Sequence, residues 1–122
     1  MNRTVLVVDD DDALRDSISE SLLDGGYQTI CAANGREALE RLRDMPELPC
    51  MIFLDLMMPI MNGWQFRDAQ KQEPRLAAIP VVIITANGAV PTSSVDADEL
   101  LYKPIRLDRL LDTAEHFCPE AC

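Results

Sequence analysis

The sequence predicts a three-layer α/β fold, a five-stranded parallel sheet with helices on both faces. Two observations carry that prediction. Apolar runs alternate with helix-patterned segments along the whole chain, as strands separated by crossover helices require. The first, third and fourth runs are continuously apolar and rich in branched residues, as strands covered on both faces must be. The 122 residues make one such domain and leave no room for a second of ordinary size. A chain of this length should bury roughly two thirds of its unfolded surface, enough for one core.

The elements follow in order. Val5-Leu6-Val7-Val8 is the first strand and runs straight into four aspartates, 9–12, of which Asp11 or Asp12 is suited to cap a helix. That helix is read over 13–24, where Leu14, Ile18 and Leu22 fall four apart, and Gly25-Gly26 stops it. Thr29-Ile30-Cys31-Ala32 is the second strand. A helix over 36–45 with Leu39 and Leu42 on its stripe follows Asn34-Gly35 and ends before Pro46. Met51-Ile52-Phe53-Leu54 is the third strand, and a helix over 63–72 follows, with Trp64, Phe66 and Ala69 as anchors. Val81-Val82-Ile83-Ile84 is the fourth strand. After it the run Asn87-Gly88-Ala89-Val90-Pro91-Thr92-Ser93-Ser94 carries breakers and turn formers, so a shortened or irregular helix is expected, at most one turn around 93–97. Leu100-Leu101-Tyr102 is a weaker fifth strand, and a last helix runs over 107–117, with Leu107, Leu110, Leu111, Ala114 and Phe117 at helical spacing.

Composition narrows the function. Asp and Glu total 21 against 11 Lys and Arg, for a formal net charge of −10. That sign opposes approach to a phosphate backbone, so direct nucleic-acid binding is not expected. It fits a protein that binds cations or basic partners. The first apolar run is too short for a signal peptide, and no stretch approaches the ~20 apolar residues that span a bilayer. We therefore expect a cytoplasmic protein without membrane insertion. Its four cysteines, Cys31, Cys50, Cys118 and Cys122, are read as reduced thiols, the first two packed as small hydrophobes and the last two in a loose tail. His116 is read as a surface residue of the last helix.

In open α/β sheets the ligand sits beyond the carboxyl ends of the strands. Asp9 and Asp10 follow the first strand, Asp55 the third, Thr85 the fourth, and Lys103-Pro104 the fifth. Three acids, a hydroxyl and a lysine thus converge on one edge. Clustered carboxylates repel one another, and a hard cation such as Mg²⁺ relieves them. An aspartate beside such an ion can attack phosphorus, and an ammonium and a hydroxyl can balance charge on the transferred group.

With those residues in place, the sequence resembles the receiver domain of bacterial two-component response regulators. The resemblance rests on Val-Val-Asp-Asp at 7–10, Leu-Asp-Leu-Met-Met-Pro-Ile-Met-Asn-Gly at 54–63, Ile-Ile-Thr-Ala at 83–86 and Lys103-Pro104, in order and each ending an apolar run. It implies a flavodoxin-like sheet of order 2-1-3-4-5. It implies Asp55 as phospho-acceptor, Thr85 as switch hydroxyl and Lys103 as the phosphate-pairing lysine. It further implies a Mg²⁺ site made by Asp10, Asp55 and the backbone carbonyl of Met57, with Asp9 acting through water, and a cis bond before Pro104.

The implied protein is a phosphorelay module. It takes its phosphoryl group from a histidine kinase or a histidine phosphotransfer protein, catalyses its own phosphorylation and dephosphorylation, and switches binding of a downstream protein. The receiver is read as 1–117 with a tail over 118–122, and no separate output domain is expected. Leu100 stands where the family often has an aromatic switch residue, and Tyr102 is two positions on, on the same strand face. Ile105 stands where many members have Phe. Thr85 and Lys103 are only 18 positions apart, a few fewer than is typical, and the deficit falls in the irregular segment. That remodelled output face motivates a second reading, a phosphorylation-independent interaction module on the same scaffold. A third, a Mg²⁺ phosphatase of the haloacid dehalogenase type, lacks its second acid, because Met57 stands two after Asp55. Met57 and Asn87 line the approach to the phosphoryl group in the resemblance, and a bulky Met57 is expected to slow its hydrolysis.

Overall fold

A computed structural model describes residues 3–86 and 96–119. Five strands, β1 (Thr4–Val8), β2 (Gln28–Ala32), β3 (Met51–Asp55), β4 (Val81–Ala86) and β5 (Glu99–Lys103), form one parallel sheet in the order β2-β1-β3-β4-β5. Four helices are described, α1 (Asp12–Asp24), α2 (Gly35–Asp44), α3 (Gly63–Gln72) and α4 (Leu107–Phe117). Each expected strand and helix is present, with boundaries moved by one or two residues. The irregular segment expected after β4, with Asn87, lies largely outside the described residues.

The alternation along the buried strands sorts the core into two layers. Leu6, Val8, Ile52, Leu54, Val81 and Ile83 face α2 and α3, where they meet Ala38, Leu39, Leu42 and Phe66. Val5, Val7, Met51, Phe53, Val82 and Ile84 face α1 and α4, where they meet Ile18, Leu22, Leu110 and Ala114. Every residue of β3 is buried, so the acceptor strand has helices on both sides.

Local chemistry sets the helix ends. Asp11 accepts a hydrogen bond from the Leu14 N–H at 3.2 Å and caps α1. Asn34 caps α2 in the same way. Asn62 forms a capping box with Gln65 at the start of α3. Gly26, at φ 92°, turns the chain out of α1 into β2.

Two of the cysteines, Cys50 and Cys118, depart from their sequence reading. Cys31 is free. Cys118 is no part of a loose tail. It caps α4, is buried, and is joined to Cys50 in a disulfide with a Cα–Cα distance of 5.6 Å. The fold brings the start of β3 beside the end of α4, a meeting that a separation of 68 residues does not announce. Cys122 lies outside the described residues.

Candidate phosphorylation site

Parallel pairing brings the strand ends to one edge. Asp55 ends β3 and sits opposite Ile84, while Thr85, the next residue, sits opposite Tyr102 of β5. Lys103 ends β5, and the Lys103–Pro104 bond is cis. Asp9 directly follows β1, its backbone N–H donating to the Ala32 carbonyl at 3.1 Å.

The carboxylates of Asp9, Asp10 and Asp55 converge, with one oxygen of each within 4.8 Å of the others. Asp9 and Asp55 are buried and Asp10 is exposed. The Lys103 ammonium lies 3.4 Å from Asp9 Oδ2 and 3.6 Å from Asp55 Oδ2. Asp9 Oδ1 accepts from the Asp11 N–H at 2.9 Å, but the buried Oδ2 has no hydrogen-bond donor and only the long ammonium contact. An orphaned carboxylate oxygen in a cluster of three acids is what a hard, oxygen-seeking divalent cation would satisfy. The donor set is all oxygen, so a soft metal does not fit it.

Electrostatics agree with that deficit of positive charge. Burial, and next the charge of Asp9, push the Asp55 carboxyl from 3.8 up to about 6, although Lys103 and the Met57 N–H work the other way. Burial also raises Asp9, against the Asp11 N–H and Lys103. Thr85 is buried at the same edge, with 1% of its surface exposed. The structure therefore brings Asp9, Asp10, Asp55 and Lys103 together and sets Thr85 beside them on β4. Leu100 is half-buried against the α2/α3 layer, and Ile105 packs against the α1/α4 layer. Tyr102 is 45% exposed.

The loop from β3 to α3 holds this geometry. Gly63 passes so close to the acceptor strand that a Cβ there would lie 2.7 Å from the Asp55 carbonyl oxygen and 2.8 Å from Leu56 Cα. Its N–H donates to the Leu56 carbonyl at 2.9 Å. Met61 docks the loop on α2, accepting from the Gly35 N–H at 2.9 Å. Arg15, which sequence reasoning passed over, donates to the Asp9 carbonyl at 2.7 Å and so fixes the backbone that carries the acidic pair. Only its position one turn into α1 hinted at that role.

Ile60 carries strain in this loop. Its φ is 68°, and the Met61 N–H donates to the Pro59 carbonyl at 2.7 Å, closing a γ-turn with a β-branched residue at its centre. Ile60 is 72% exposed, so its side chain gains little burial in return. Ile60→Gly should stabilise the protein by about 1 kcal/mol, since glycine adopts positive φ with no Cβ to clash. Urea unfolding checks this, and a lower midpoint for the variant would contradict it.

Comparison with known proteins gives one family. Residues 5–115 match the family model of the response regulator receiver domain. The chain is 33% identical over 112 residues to the response regulator Rre1 of Synechocystis sp., covering 88% of this chain and 48% of that protein. Several of the curated relatives it matches are likewise about twice its length. Among solved structures, the chemotaxis protein CheY4 of Vibrio cholerae superposes with a TM-score of 0.84 at 30% identity, covering 96% of this chain and 99% of that one. The receiver domain of a signal transduction histidine kinase from Syntrophus aciditrophicus gives 0.83 at 28% identity, covering 94% and 89%.

Proposed function

This chain belongs to the response regulator receiver domain family of two-component systems, and we propose that it accepts a phosphoryl group on Asp55 with Mg²⁺ held by the adjoining acids. The observation that carries the proposal is the convergence of the Asp9, Asp10 and Asp55 carboxylates, with Lys103 within 4 Å of two of them. Receiver domains interact with histidine kinases. The donor to this one would be a histidine kinase or a histidine phosphotransfer protein. We further infer a cytoplasmic protein. No described helix is long and apolar enough to cross a membrane.

The residues divide the work as follows. One Asp55 carboxylate oxygen attacks phosphorus in line with the leaving imidazole nitrogen. The P–N bond breaks, its electron pair stays on that nitrogen, and a proton from solvent neutralises the ring. Lys103 pairs with a phosphoryl oxygen, and Thr85 offers its hydroxyl to another. Asp10, Asp55 and the Met57 carbonyl would hold Mg²⁺ directly and Asp9 through water. When bound, the ion supplies charge neutralisation for the transferred group. The product shifts a two-state equilibrium that a downstream protein reads.

Retention of all five side chains weighs against a phosphorylation-independent module, which has no need of them. The missing second acid at Met57 weighs against the phosphatase reading. The direct test is a mass measurement after incubation with acetyl phosphate. A gain of one phosphate with Mg²⁺, and none with EDTA, is expected. No gain in either condition would refute the proposal. Met57 is 57% exposed beside the acceptor. Met57→Asn should shorten the lifetime of the phosphorylated protein by roughly tenfold, the scale of one well-placed polar contact. Unchanged decay would remove Met57 as a shield.

A further inference from the structure

Two cysteines outside the phosphorylation site meet at the far end of the sheet. Cys50 stands immediately before β3, at the end opposite Asp55, and Cys118 caps α4. Their Cα separation of 5.6 Å is one that a disulfide bridges without backbone movement, and the structure joins them. The pair is asymmetric. Cys118 is buried in the α1/α4 layer with 2% of its surface exposed, whereas Cys50 is half-buried. A small thiol or oxidant therefore reaches the bridge from the Cys50 side.

The seat of α4 does not depend on the bridge. Leu110 and Ala114 are fully buried. The Tyr27 hydroxyl donates to Glu115 at 3.1 Å, and Arg3 lies 3.6 Å from the same carboxylate and 4.1 Å from the centre of the Tyr27 ring. Leu111 packs so close to Gly25 that a Cβ there would come within 2.8 Å. The helix thus stays docked, and the two sulfurs stay within reach, whether or not they are bonded.

We propose that Cys50 and Cys118 are a reversible thiol–disulfide pair, an oxidative modification site at the end of the domain opposite the acceptor. With hydrogen peroxide as oxidant, the Cys50 thiolate attacks one peroxide oxygen, the O–O bond breaks and hydroxide leaves, giving a sulfenic acid. The Cys118 thiolate then attacks the Cys50 sulfur, the S–S bond forms and a second hydroxide leaves. Two thiols have given up two electrons and two protons, and the peroxide has become two waters. In the reverse direction an external thiolate attacks the Cys50 sulfur and Cys118 leaves as thiolate. A second external thiol then frees Cys50. The bridge spans 68 positions that include Asp55, Thr85 and Lys103, so oxidation restrains the unfolded form of the segment that carries them. The inference stands apart from the phosphorylation reading.

The test uses the full chain carrying Cys122→Ser, because Cys118 and Cys122 share a tryptic peptide. The protein is treated with hydrogen peroxide or with reduced glutathione under native conditions, unfolded, alkylated and mapped by mass spectrometry. After peroxide, Cys31 should be alkylated and Cys50 linked to Cys118. After glutathione, all three should be alkylated, and Tm should fall by roughly 15 °C. Adding Cys118→Ser should remove the difference in Tm between the two treatments. Alkylation of Cys50 and Cys118 after peroxide, or a bridge involving Cys31, would overturn the pairing. A bridge that survives excess glutathione would overturn its reversibility.

Discussion

Asp55→Asn should abolish covalent phosphorylation by small phosphodonors outright, because the amide has no oxygen nucleophile of comparable basicity. Lys103→Ala should leave the acceptor in place but slow the reaction by about 10²–10³-fold, the usual cost of one preorganised countercharge at a developing anion. The two variants separate the roles, since one removes the bond-forming atom and the other its electrostatic support. The rate should also follow the ionisation of Asp55. Its carboxyl sits near 6, so without metal saturation the rate should climb between pH 5 and 7 and level off above. Intact-protein mass against time gives all three results. Equal phosphate gain in Asp55→Asn would move the acceptor elsewhere, and an unchanged rate in Lys103→Ala would leave its ammonium without a part in transfer.

The fold was legible because its signals are local and repeated. Runs such as Met51–Asp55 are apolar on both faces, and the segments between them carry helical spacing, so parallel strands under two helical layers were the consistent solution. The site was legible because strand ends in such a sheet share one edge, so the residues after β1, β3, β4 and β5 had to lie near one another. What pairing cannot convey is the chain's path between elements. The close pass of Gly63 under Asp55, the dock of Met61 on Gly35 and the Arg15 bond to the Asp9 carbonyl depend on loop conformation. The Cys50–Cys118 bridge was illegible for a related reason, since it depends on where the last helix ends against the sheet. Gln70 is a further case. Its polar side chain is fully buried on α3 because its amide donates to the carbonyls of Leu76 and Ile79, tying down the loop before β4.

Asp55→Asn should also make the metal-free protein more stable, by an amount that depends on pH. Burial and the charge of Asp9 raise the folded-state Asp55 carboxyl from 3.8 to about 6. A raised carboxyl means that the folded state binds the proton more tightly than the unfolded chain does, so stability falls as pH rises between those values. Above that window the wild type carries the whole cost of a buried charge, about 3 kcal/mol at 1.36 kcal/mol per pH unit. Below about pH 3 both states hold the proton and the cost vanishes. Asn does not titrate, so its advantage should be only about 0.5 kcal/mol at pH 4 and should reach about 3 kcal/mol at pH 8 in EDTA. The raised carboxyl of Asp9 acts with the same sign in both proteins and largely cancels in the difference. Mg²⁺ should narrow the gap at pH 8, because an ion that binds the folded wild type more tightly than the variant stabilises it by mass action. Urea unfolding of both proteins at the two pH values, with and without the ion, reads every part of this. An advantage that is the same at pH 4 and pH 8 would show that the carboxyl is not held in the un-neutralised environment that makes it a site for a cation and a phosphoryl group.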